Sequence, residues 1–297
     1  MTDGGLARFS GFADVYDANR PSPPAELGPL LAAYAGTPHP VVADLGCGTG
    51  LSSRWASAWA ASVTGIEPNP DMRAMAASRP APNVDYRPGR AEDTGLEPGG
   101  FDVVTAVQAM HWFEPGATLA EVGRLLRPGG VLAVIDADWP PVSGLVRAEL
   151  AWTEMHRRIR ALEARVSRGE SPAAVLAPVK ADDPDVVDDD LADPHRNRRL
   201  PGGVRSWSKS GHLARMAASG MFRFTREVLT SRAVDGGADR FKALMYSQGS
   251  YQGLRRHGLS DSDIGADRFE AEVDAAYAAA GDPPGLAFSW RVRLGVR

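Results

Sequence analysis

Apolar and polar positions change rhythm midway along the chain. In the first half, short continuous apolar runs alternate with stretches of helical period. Val41–Leu45, Ser62–Ile66, Val84–Arg87, Phe101–Val107 and Val131–Asp136 read as strands. Residues 25–35, 51–59, 70–78 and 118–126 read as helices, the last closed by Arg127-Pro-Gly-Gly. Continuous apolar strands separated by helices predict a parallel sheet covered on both faces. Right-handed crossovers make it doubly wound.

The second half breaks this alternation. Residues 145–168 form one long helix, with Trp152, Met155, Ile159, Leu162 and Val166 on a single apolar stripe. Residues 181–205 read as a polar loop, first acidic and then basic, and residues 208–219 as a helix ending at Gly220. Phe222–Arg232 and Leu286–Val296 alternate apolar and polar side chains, as half-exposed strands do. Between them, residues 238–280 are mainly helical, broken at Gly258 and Gly265. The expected organisation is a sheet domain from 1–139 and 208–297, with a helical insertion at about 238–280. Residues 140–207 would form a helical lid.

Composition narrows the function classes. A chain of 297 residues with 43% apolar and 24% charged positions suits a globular protein with its own core. A net charge of −4 provides no global basic field for nucleic acid or anionic membrane. The single cysteine, Cys47, excludes an intramolecular disulfide and a multi-cysteine zinc site. No secretory signal and no run of about 18 apolar residues is visible. The expected compartment is the cytoplasm.

The chemistry concentrates at VVADLGCGTG, residues 41–50. A buried strand ends at Asp44, and Gly46, Gly48 and Gly50 follow before a helix. Such glycines let backbone approach a ligand at the carboxyl edge of a parallel sheet. The sixth fingerprint position is Leu51, so the dinucleotide motif fails. A triphosphate-binding P-loop is also absent, and the loop therefore suits a nucleoside without a pyrophosphate. Glu67, ending the second strand, is placed to accept hydrogen bonds from both ribose hydroxyls. Arg90-Ala91-Glu92-Asp93, after the third strand, is a candidate holder of an adenine edge.

With these stretches in view, the sequence resembles the class I S-adenosylmethionine-dependent methyltransferases. It is similar to the branch acting on small molecules, including ubiquinone- and trans-aconitate-type enzymes. VADLGCGTG, TGIEPNPDMRAMA, YRPGRAED, FDVVTAVQAMHWF and LLRPGGVLAVI occur in the family's order. The resemblance covers about residues 9–136, and the two final strands resemble the family's antiparallel pair. It implies a seven-stranded, mostly parallel sheet and S-adenosylmethionine as cofactor, with S-adenosylhomocysteine as product. It further implies that Asp44, Gly46 and Gly48 face the methionine part and that Glu67 holds the ribose. Pro68 and Met72 would lie against the adenosine, Ala91 and Glu92 at the adenine, and Gln108 and Trp112 at the sulfonium end. FSGFADVYDANRP resembles the segment that closes over the cofactor, with Tyr16 and Arg20 carried over and Arg20 a partner for the methionine carboxylate.

His111, after the fourth strand, is the leading candidate general base. The alternative is that His-Trp-Phe packs and shields the cofactor. His156 is a further candidate on the long helix. Gln108-Ala-Met-His stands where nucleic-acid and amide amino-methylases often carry Asn/Asp-Pro-Pro-Tyr, which argues against a nucleic-acid substrate. Arg196, Arg198, Arg199 and Arg205, with the preceding aspartates, read as a solvated loop, and no metal is expected. Trp152, Met155, Trp207, Met216, Met245, Tyr246 and Tyr251 favour an apolar acceptor if they face the cleft. The expected function is O- or C-methylation of a small, at least partly apolar molecule, in a setting such as specialised metabolism. The alternative is a non-methylating reaction of the same fold, such as cyclisation or decarboxylation. The long helix suits a homodimer as well as a lid.

Overall fold

The computed structural model describes residues 17, 19–177, 197–200, 204–281 and 285–297. Its sheet has seven strands: β1 (Val41–Leu45), β2 (Ser62–Ile66), β3 (Val84–Arg87), β4 (Phe101–Val107), β5 (Leu126–Ala137), β8 (Phe224–Val234) and β9 (Leu286–Val296). They lie in the order β3-β2-β1-β4-β5-β9-β8. The first five are parallel, and β9 runs antiparallel between β5 and β8. This is the expected doubly wound sheet, and it sets the ends of β1, β2 and β4 side by side.

Local chemistry accounts for the helices around it. Helix α1 (Leu27–Ala35) stops at Gly36 in the left-handed conformation. Helix α2 (Leu51–Ser57) follows the glycine loop. Helix α3 (Pro70–Ser78) begins with proline, and the Asn69 side chain accepts from the amides of Asp71 and Met72. Helix α4 (Pro115–Leu125) starts earlier than the expected Thr118, because Glu114 caps the Ala117 amide and Pro115 opens the first turn. Strand β5 likewise begins at Leu126 rather than Val131. Leu126 pairs with Phe101, and the register then shifts, so Pro128 falls at an irregularity that needs no ladder N–H.

Among the described residues, 140–207 and 238–280 add no strand to this sheet. Helix α5 (Val146–Ser167) is followed by the short α6 (Pro172–Val175). After β6 (Asn197–Leu200) and β7 (Val204–Trp207) comes α7 (His212–Ala218). Helices α8 (Ala238–Tyr246), α9 (Gly249–Arg256), α10 (Asp261–Ile264) and α11 (Ala266–Ala280) fill the stretch before β9. The α5 stripe packs against α9, α10 and α11. Trp152 stacks on Trp139 at 5.9 Å and meets Phe241 edge-on at 5.2 Å.

One apolar cluster runs from α1 and α2 through the sheet face of Val42, Val103 and Ile135 into this helical layer. The opposite sheet face, with Ala43, Val104 and Leu132, packs on α4 and on Met216 of α7. Trp152, Met155, Met245, Met216 and Tyr251 are therefore core residues and do not face the cleft. Tyr246 donates to Glu270 at 2.6 Å, and Trp207 lies under Arg215. Part of the expected 181–205 loop is a strand pair, since β6 and β7 are antiparallel. Backbone pairing is indifferent to arginine-rich side chains, and Leu200 supplies a buried anchor. Arg196 and the aspartate run from Asp182 to Asp193 lie outside the described residues.

Candidate active site

The loop after β1 builds the floor of a cleft. Asp44 is fully buried, and its carboxylate accepts from the hydroxyls of Ser52 at 2.6 Å, Ser53 at 2.7 Å and Thr105 at 2.9 Å. Burial raises its pKa against the pull of those three hydroxyls. The side chain ties β1, β4 and α2 together directly beneath the glycine loop, and it is not among the residues that line the cleft. Gly46 and Gly48 have φ of 69° and 54°, in the region that favours glycine. A Cβ on Gly46 would stand 2.7 Å from the Phe113 ring, whereas one on Gly48 would project into open space. The backbone at Gly48 is thus bare towards the cleft.

Glu67 supplies a carboxylate beside that bare backbone. Its Oε2 accepts from the Gly48 amide at 3.0 Å and its Oε1 from the Asn69 amide at 2.8 Å. It is 8% exposed. Burial raises its pKa, opposed by these two amides and by Arg73. Cys47, also buried at the cleft, is pushed well above its usual value by burial and by the nearby carboxylates, so it stays a thiol.

The cleft measures about 820 Å³ including its open mouth. Of the expected residues, Arg20, Gly46, Gly48, Glu67, Met72, Gln108 and Trp112 line it. Pro68 and Glu92 are half-buried and Ala91 is buried, and none of the three lines it. Glu92 instead accepts from the Glu114 amide at 2.9 Å, and Arg90 and Asp93 bridge the turn. Tyr16 lies outside the described residues.

His111 does not line the cleft. Met110–Trp112 is a single 3-10 turn, in which successive side chains diverge by about 120°. Trp112 is the one that reaches the cleft, while His111 Nδ1 is 4.0 Å from Asp136. His111 thus stands on the turn that carries Trp112, with its ring 4.6 Å from the indole and its Nδ1 towards Asp136. His156 sits half-buried on α5, and it too is absent from the cleft wall.

Two contacts close one side. Arg20 lies 4.8 Å over the Trp139 ring and donates to the Ser247 carbonyl at 3.1 Å and to Gln248 at 3.2 Å. Asp17 accepts from Thr49 of the glycine loop at 2.7 Å and from Arg54 at 2.8 Å, and also pairs with Arg79. Sequence reasoning missed Trp139 as a wall residue, although its place just beyond a central strand is the available signal. It also missed Lys209, which touches Gln108 from behind.

Comparison with known proteins bears on the family and the fold. Residues 43–134 match the family described as a methyltransferase domain. An uncharacterized methyltransferase of Mycobacterium tuberculosis is 34% identical over 128 residues, 43% of this chain and 51% of that one. A ubiquinone biosynthesis O-methyltransferase of Xanthomonas campestris is 35% identical over 138 residues, 43% of this chain and 58% of that one. The matched stretches span about half the length of these curated relatives. A solved structure from Anaeromyxobacter dehalogenans, assigned as a type II methyltransferase, shares the fold. Its TM-score is 0.54 at 22% identity, with 93% of this chain and 97% of that one covered. The class I methyltransferase resemblance read from the sequence therefore holds.

Proposed function

We propose that this chain, with a methyltransferase domain at residues 43–134, transfers a methyl group from S-adenosylmethionine to a small, at least partly apolar acceptor. The observation that carries the reading is the bare Gly48 backbone with the buried Glu67 carboxylate beside it. When bound, the cofactor supplies an electrophilic methyl on a good leaving group. The chain's residues bind and orient. Glu67 accepts from the ribose hydroxyls, Met72 packs on the adenosine, and Pro68, Ala91 and Glu92 flank the adenine end. Arg20 offers its guanidinium to the methionine carboxylate.

Val107, Gln108, Trp112 and Trp139 form the transfer end of the cleft. These four side chains carry no titratable base. What they contribute to transfer is proximity, alignment and exclusion of water. The indole walls favour an apolar or aromatic acceptor, and the likeness to a ubiquinone biosynthesis O-methyltransferase favours oxygen as the acceptor atom.

The test is thermal unfolding with and without S-adenosylhomocysteine, followed by labelled methyl transfer to a panel of phenolic and enolic acceptors. Ligand at 100 times its Kd adds about 2.7 kcal/mol, a shift of several degrees. A folded protein whose unfolding does not move, and which binds no cofactor by calorimetry, overturns the reading.

A further inference from the structure

A polar chain with a buried centre at Asp136 and Arg293 ends on the cleft wall at Gln108. Among the described residues Gln108 is the one non-glycine with positive φ, at 53°. An L-residue adopts that conformation at a cost, so the surroundings must impose it. Its amide donates to the Ile135 carbonyl at 2.8 Å. Its side-chain Nε2 donates to the Ala137 carbonyl at 3.3 Å, and its Oε1 accepts from Lys209 Nζ at 2.6 Å.

Lys209 is itself held. Its Nζ is 3.0 Å from Asp136 Oδ1, and the other Asp136 oxygen accepts from Arg293 at 2.8 Å. Arg293 in turn pairs with Glu227 of the edge strand at 3.0 Å. Glu227, Arg293, Asp136 and Lys209 thus alternate in sign from the sheet edge to the cleft wall. Burial opposes the Asp136 charge, and the Lys209 and Arg293 cations outweigh it, holding the carboxyl well below its usual range. His111 and His212 also face this carboxylate, and burial keeps His212 neutral.

A carboxamide is nearly symmetric in shape, and what it offers a ligand depends on which end is oxygen. An ammonium only donates, so Lys209 selects Oε1; the Ala137 carbonyl only accepts, so it selects Nε2. Both partners impose the same orientation. One N–H and one lone pair of Gln108 remain for the cleft.

We propose that Lys209 is a positioning residue: its ammonium, fixed by Asp136, locks the Gln108 carboxamide in one orientation at the transfer end of the cleft. The inference rests on the reading that the cleft binds S-adenosylmethionine. It gives the segment after β7, outside the domain at residues 43–134, a part in shaping that domain's ligand site.

The experiment is a double-mutant cycle read by calorimetric S-adenosylhomocysteine affinity. Lys209→Met should weaken binding about tenfold, the scale of one charge-assisted hydrogen bond. Lys209→Arg, which keeps the cationic donor, should stay within about threefold of wild type, and Gln108→Ala should weaken binding about as much as Lys209→Met. The double variant should match Gln108→Ala alone, because Lys209 acts through Gln108. A merely structural lysine would weaken binding equally with or without Gln108. If Lys209→Met does not fold, Lys209→Ala, which also removes the donor, replaces it in the same cycle. Wild-type affinity in the lysine variant, or losses that add in the double variant, would overturn the proposal. Wild-type protein that binds no S-adenosylhomocysteine would instead overturn the cofactor reading on which it rests.

Discussion

Replacing Glu67 by alanine probes the ribose assignment at its centre. In the folded protein this carboxylate accepts from the Asn69 amide at 2.8 Å and the Gly48 amide at 3.0 Å. Asn69 is buried, so its amide loses its partner without gaining water, at about 1–3 kcal/mol. The Gly48 amide borders the cleft and rehydrates at little cost. The variant should therefore melt a few degrees lower and remain folded at room temperature. The loss in ligand affinity should be larger. Two charge-assisted bonds to the ribose hydroxyls contribute about 1.5–3 kcal/mol each, so their removal weakens binding by about two to four powers of ten. The assay is calorimetric titration of the folded variant with S-adenosylhomocysteine at pH 7.5. An affinity within about threefold of wild type would refute the assignment and leave Glu67 as a brace for the glycine loop. A pH series adds a second arm. Burial raises the Glu67 pKa, so the wild-type carboxyl protonates earlier on acidification than an ordinary glutamate and affinity should fall with it. Glu67→Gln should bind weakly with no such pH dependence.

Two further predictions separate packing from binding and titration from both. Gly46→Ala forces a Cβ to 2.7 Å from Phe113 and 2.9 Å from Ala109, and should cost about 1–3 kcal/mol by urea unfolding. Gly48→Ala meets no neighbour within 4 Å, so it should lose only about 1 kcal/mol of stability while S-adenosylhomocysteine binding collapses; equal behaviour of the two variants would contradict the placement of the cleft floor. Burial pushes His212 down to about 3, whereas an unfolded histidine titrates near about 6.5. Between those values the unfolded chain binds a proton that the folded chain does not, so stability falls with acid, by about 2 kcal/mol from pH 7.5 to pH 5. His212→Gln should remove that part of the slope in urea midpoints, and an unaltered slope would mean that the imidazole titrates normally.

Much of the fold was legible because buried parallel strands are marked twice, by continuous apolar runs and by the turn residues that bound them. The spans of β1 to β4, α3 and β9 coincide with the runs read from the sequence. The misses share a cause. β6 and β7 carry arginines on paired backbone, and polarity counts do not see pairing. The partners of Asp44 are equally hidden: Ser52 and Ser53 follow it closely, but nothing local announces the strand-to-strand reach of Thr105. The turn that carries His111 is legible, but the side to which each of its side chains turns is not, because a 3-10 turn sends neighbours apart. The Gln108–Lys209–Asp136–Arg293 chain joins residues far apart in sequence, each unremarkable alone.

The anchoring of Arg20 bears on the order in which the molecule is made. Its partners, Ser247 and Gln248, lie 227 and 228 residues further along the chain. A chain grows from its N-terminus, and early segments start to fold before late ones exist. The glycine loop and its first strands can therefore form while Arg20 still lacks its α8–α9 partners. Ligand-binding surface comes first and its enclosure last. A ribosome-bound chain stalled before Ser247 would carry the loop and Glu67 with the Arg20 side of the cleft unfastened.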